Sequence, residues 1–103
     1  MDQTAILENV KRYIAFLKQS NFDIRGVYLF GSFAKGKANE DSDIDLAIVL
    51  RGMGNSIFTQ FQLMKLRRDF DLRIEPHPFF ETDFIPSNPF VNEIISTGIP
   101  VFG

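Results

Sequence analysis

The chain has 103 residues, a formal net charge of −2, 45% hydrophobic side chains and no cysteine. One hydrophobic core fits that length, so a single domain over residues 1–103 is expected, and the charge removes any general pull towards nucleic acid or an anionic membrane. Disulfides, zinc–thiolate sites and thiol nucleophiles are excluded, and with no leader-like N-terminus or membrane-length apolar run a cytoplasmic protein is expected.

From Thr4 to Lys18, Ile6, Leu7, Val10, Ile14 and Leu17 recur at helical spacing, with Thr4 or Asp2 as N-cap and Ser20-Asn21 as the stop. Ile24 to Phe30 (IRGVYLF) and Ile44 to Leu50 (IDLAIVL) read as strands, and Arg51 to Asn55 as a loop. Ser56 can cap a helix running to about Arg68, with Ile57, Phe61 and Met64 on one face. Phe70 to Glu75 (FDLRIE) alternates as a third strand, with Phe70, Leu72 and Ile74 towards the core, stopped by Pro76 and Pro78. Asn88 caps a helix whose first position is Pro89 and whose end is Gly98, and Ile99 to Phe102 forms a short edge strand. This order suits an α+β (α/β layered) fold, a small sheet covered by helices. Twelve phenylalanines exceed what so small a core needs; an exposed remainder, HPFFETDF for example, would mark a partner surface.

The chemistry concentrates in Gly31 to Leu50, GSFAKGKANEDSDIDLAIVL. GSFAKGK matches seven positions of a P-loop, but the eighth is Ala38 where a magnesium-binding Ser or Thr is needed, and an acidic loop follows where a helix should start. Asp41, Asp43 and Asp45 match the opening of a calcium loop, but its sixth and twelfth positions are Leu46 and Gly52 instead of Gly and Glu. What remains is a strand that begins with carboxylates. Residues two apart on a strand share a face, so Asp43 and Asp45 project together while Ile44, Leu46 and Ile48 enter the core. At about 7 Å, two carboxylates repel by roughly 2 kcal/mol at an effective dielectric near 20, a penalty that a bridging cation reverses. All-oxygen ligands favour Mg²⁺ or Mn²⁺ shared with substrate phosphates. Upstream, Gly31 lets a phosphate approach the backbone, Ser32 offers a hydroxyl and an amide, and Lys35 and Lys37 add positive charge. Phosphate at one end and metal at the other is the requirement of phosphoryl or nucleotidyl transfer.

The same stretch resembles the G-S-x(about ten)-D-x-D signature of the DNA polymerase beta-like nucleotidyltransferase superfamily, and GSxAxG…SDIDLA resembles its minimal nucleotidyltransferase (MNT) branch. The resemblance implies a mixed sheet with helices packed on one face, ATP or another nucleoside triphosphate as donor, and two Mg²⁺ ions. Gly31 and Ser32 would then contact the nucleotide phosphates, with Lys35 where relatives often carry Arg. Phe33 stands where some relatives have Arg, which removes one phosphate contact. Asp43 and Asp45 would be metal ligands. A third carboxylate, base or metal ligand, would come from the strand FDLRIE, either Glu75, favoured by an IEPHP-like segment in relatives, or Asp71. His77, between two prolines, reads as a structural or surface residue.

By resemblance the reaction is transfer of AMP from ATP to an acceptor hydroxyl by a two-metal mechanism. The context would be the antitoxin of a pair with a HEPN-type helical protein. Two alternatives stay open. One is a binding antitoxin or regulatory subunit without catalysis. The other is a small-molecule adenylyltransferase of the antibiotic-modifying kind, its acceptor site completed by a homo-oligomer or a partner.

Overall fold

A computed structural model describes residues 3–39 and 41–102. Its elements are helix α1 (Gln3–Gln19), strands β1 (Ile24–Phe30) and β2 (Ile44–Leu50), helix α2 (Ser56–Leu66), a 3-10 turn (Arg67–Asp69), strand β3 (Ile74–Phe80), helix α3 (Pro89–Thr97) and strand β4 (Ile99–Phe102). The strands form one sheet in the order β3-β2-β1-β4. Pairing is antiparallel between β1 and each of β2 and β4, and parallel between β2 and β3, so the sheet is mixed. A parallel pair needs a crossover, and α2 supplies it.

The apolar stripe of α1 is Ile6, Val10, Tyr13, Ile14 and Leu17, all buried. Its end is as expected: Asn21 takes φ 73°, Asn21 N–H donates to Lys18 O at 3.2 Å and Phe22 N–H to Leu17 O at 3.2 Å, which closes the helix with a left-handed cap. Thr4 lies inside the helix, not ahead of it. Asp2, the other expected cap, lies outside the described residues. Beneath α1, Val27 pairs with Ile48 and Leu29 with Leu46, all fully buried. A register shift between Ile24 and Gly26 lets Ile24 and Val27 both face this core.

Two expectations for α2 need correction. Asn55, not Ser56, caps α2, its side chain accepting from Phe58 N–H at 2.9 Å. The buried positions of α2 are Thr59 and Leu63, while Ile57 and Phe61 are 71% and 65% exposed. SIFTQFQLMKL is apolar on several sides, so periodicity could not choose the face. Packing chose it: the buried Tyr13 hydroxyl donates to Leu63 O at 2.7 Å and ties α1 to α2.

The third strand runs from Ile74 to Phe80, not from Phe70 to Glu75, and it passes through both prolines. On this edge strand alternate peptide groups face away from β2. Ile74 O accepts from Arg67 Nη1 at 2.6 Å and Pro76 O from Gln60 Nε2 at 3.1 Å, both on the outer side. Inward, Arg73 O accepts from Ile44 N–H at 2.8 Å. Pro76 and Pro78 therefore lack an N–H only where it would point off the sheet. Residues 70–73 form a turn, with Leu72 67% exposed and Phe70 packed on the rings of Tyr13 and Phe16.

α1 and α2 cover one face of the sheet. The other face carries an aromatic layer in which Tyr28 stacks on Phe84 at 5.6 Å, Phe79 meets Phe84 at 5.4 Å, and Phe90 of α3 reaches Phe79 at 5.9 Å and Phe30 at 5.7 Å. Much of HPFFETDF is thus packed, and among the described residues the most exposed phenylalanines are Phe58 and Phe61 on α2. Among the described residues no helix is long and apolar enough to cross a membrane.

Candidate active site

Register builds the site. On the aromatic face, Phe30 at the end of β1 lies opposite Asp45 on β2, and Asp45 is in register with Glu75 on β3. Side chains in register share a face, so Asp45 and Glu75 stand side by side. The chain leaves β1 at Gly31, whose φ of +76° favours glycine. A Cβ there would sit 2.5 Å from Asp45 Oδ2. Only a glycine admits both that turn and that carboxylate.

The following loop is held from both ends. Lys35 N–H donates to Gly31 O at 3.1 Å and Lys37 N–H to Ser32 O at 2.9 Å, while Phe33 is buried in the core cluster and leaves Ser32 exposed beside Gly31. Downstream, Asn39 Oδ1 accepts from Asp41 N–H at 2.9 Å, and Asn39 N–H donates to Ser42 Oγ at 3.0 Å. That turn presents Asp43, exposed, directly before β2. Lys35 Nζ lies 3.5 Å from Glu93 Oε1 of α3, across a cleft of about 200 Å³ lined by Phe30, Gly31, Lys35, Phe90, Glu93 and Thr97 among others.

The structure separates the two candidates for a third carboxylate. Asp71 is not on the strand with Glu75, because the strand starts later. It sits in the preceding turn, its side chain 8% exposed, gripped by Arg73 through Nε at 3.0 Å and Nη2 at 2.8 Å and by the Arg73 N–H at 3.0 Å. The Arg73 hydrogen bonds, with further help from Asn9 of α1, hold its carboxyl below the usual aspartate value. Asp71 clamps the turn that leads into β3, with Asn9 of α1 beside it. Glu75 is the one beside Asp45.

His77 joins the site instead. Its Nε2 lies 3.2 Å from Asp45 Oδ1, and its ring packs on Phe30 at 5.2 Å. A strand through the prolines puts His77 two residues from Glu75 on the same face. With the strand ended at Pro76, that signal was invisible.

Among the described residues no three acidic or histidine side chains form a ready-made metal cage. The donor set still fits a shared cation. Magnesium commonly takes one or two carboxylates and completes its shell with water and substrate phosphates. Asp43 and Asp45 supply hard oxygens, and the missing side chain at Gly31 leaves Asp45 Oδ2 uncovered on the side where a phosphate would approach the backbone.

The family model described as "Polymerase beta, Nucleotidyltransferase" matches residues 11–103. In fold the chain is similar to the crystal structure of a "putative nucleotidyltransferase" from Sulfolobus solfataricus, with a TM-score of 0.67 at 22% identity over 95% of this chain and 80% of that one. No curated protein matches. With its mixed four-stranded sheet, three helices and a family match over nine-tenths of its length, the chain belongs to the polymerase beta nucleotidyltransferase family.

Proposed function

We propose that the chain transfers AMP from ATP to an acceptor hydroxyl. The observation that carries this is the meeting of Gly31 with Asp45 Oδ2, with Glu75 in register alongside. The Gly31 backbone and the Ser32 amide and hydroxyl bind the phosphates, and Lys35 leaves its exposed pairing with Glu93 to join them. Such a surface pair is worth about 0–1 kcal/mol, so a triphosphate displaces it readily. Glu75 accepts the acceptor hydroxyl proton. The acceptor oxygen bonds to the α-phosphorus, the bond to the bridging oxygen breaks, and pyrophosphate leaves. Asp43 and Asp45, with Glu75, would hold two Mg²⁺ ions (or Mn²⁺), which when bound would supply positive charge beside the phosphates.

The short GSFAKG…SDIDLA form supports placement in the MNT branch; the setting proposed with it is the cytoplasm, with a HEPN-type helical protein as acceptor and binding partner. A second reading, a binding antitoxin without transfer, draws on the exposed apolar residues Ile57, Phe58 and Phe61 of α2 as the contact surface. One experiment decides between them. The chain is incubated with α-³²P-labelled ATP, Mg²⁺ and a HEPN-type helical protein. Label on that protein, lost with Glu75→Gln, supports transfer; complex formation without label supports binding alone.

A further inference from the structure

The carboxylate of Asp45 has two unlike oxygens. Oδ1 faces His77 Nε2 at 3.2 Å, and Oδ2 faces the space that a side chain at residue 31 would fill. A carboxylate accepts hydrogen bonds, so in this contact the His77 Nε2–H is the donor and Asp45 Oδ1 the acceptor. His77 is itself fixed: its ring is 28% exposed and tilts against Phe30 at 5.2 Å, and its backbone lies between Pro76 and Pro78, whose rings restrict φ on either side. Among the described residues this is the one side-chain hydrogen bond of His77 and Asp45, and β2 pairs with β3 through the backbone.

We propose that His77 is a positioning residue, which holds Asp45 in the rotamer that turns Oδ2 towards Gly31 and so presents that oxygen to a divalent cation carried with a nucleotide phosphate. The proposal rests on the nucleotidyl-transfer reading. Partners one step removed from a metal ligand orient it and raise its basicity, and their loss typically costs about 10–100-fold in metal affinity.

The test is a titration of the full chain with Mn²⁺, followed by EPR, in the presence of a non-hydrolysable ATP analogue. Three variants separate position from packing. His77→Phe keeps a ring against Phe30 but has no donor. His77→Gln puts an N–H near the place of Nε2, and His77→Asn near that of Nδ1, too short to reach Oδ1. The expected result is a loss of about tenfold or more in Mn²⁺ affinity for His77→Phe and His77→Asn, and recovery in His77→Gln, with all melting temperatures close to the parent. If His77→Phe does not fold, the Gln and Asn pair carries the comparison alone. Parent-like affinity in His77→Asn overturns the proposal, as does equal loss in Gln and Asn. A ¹⁴N coupling to bound Mn²⁺ in pulsed EPR also overturns it, because His77 would then be a ligand itself. Failure of the parent chain to bind Mn²⁺ with nucleotide overturns the nucleotidyl-transfer reading and this proposal together.

Discussion

At Gly31 two demands meet in one residue: a positive φ, and room for the carboxylate of Asp45. Gly36 separates them, since it has φ +70° but nothing within 4 Å of an added Cβ. Both Gly31→Ala and Gly36→Ala should lose about 1–2 kcal/mol in urea unfolding, the cost of alanine in the left-handed region. Only Gly31→Ala should also lose nucleotide and Mn²⁺ binding, because its methyl group must push Oδ2 aside. Equal binding by the two variants would separate Gly31 from the site. GSFAKG and DSDID were legible because their chemistry is local: a glycine before a hydroxyl, and carboxylates two apart at the head of a strand. His77 was not, since its meaning comes from a residue on another strand.

Among the elements, β1, β2, α3 and β4 fall where periodicity and caps put them, because each has an apolar run bounded by turn or cap residues. β3 does not, since the rule that proline stops a strand suits an interior strand and this one is at the edge, where Arg67 and Gln60 satisfy the outward carbonyls of Ile74 and Pro76. The shift of that strand moves Asp71 out of the site and into the clamp on Arg73. Asp71→Asn should therefore cost about 1.5–3 kcal/mol at pH 7, the range for hydrogen bonds to a charged group, without weakening nucleotide binding. The pH dependence follows from the direction of the shift. The Asp71 carboxyl is held below 3.8 in the folded chain, so its stabilisation is complete above the unfolded value and is lost as pH falls through the lower folded one. Parent and Asp71→Asn stabilities measured by urea unfolding should converge below about pH 4 and stay apart above it. A loss of nucleotide binding in Asp71→Asn at pH 7 would return Asp71 to the catalytic candidates.

Across the whole molecule, the two faces of the sheet do different work. The face under α1 and α2 is apolar and closed; the other gathers rings, His77 and two carboxylates in register. Composition predicted an exposed remainder of phenylalanines but could not say that Phe58 and Phe61 of α2 would belong to it. Stability and binding should divide along the same line. Leu63→Ala, at a fully buried site, should cost about 2–5 kcal/mol, while Phe61→Ala, on the exposed side of the same helix, should stay within about 0.5 kcal/mol. Glu75→Gln should have the opposite sign in metal-free buffer. It removes one of two like charges standing side by side, a relief of about 0.2–1 kcal/mol. With Mg²⁺ and ATP at about 100 times their dissociation constant the order should reverse, because a ligand that binds only the folded chain adds about 2.7 kcal/mol to the parent and less to the variant. Thermal unfolding with and without Mg-ATP reads both signs. A Glu75→Gln variant that melts below the parent without ligand, and gains as much as the parent with it, would place Glu75 among the structural residues and leave Asp45 without its neighbour in the reaction.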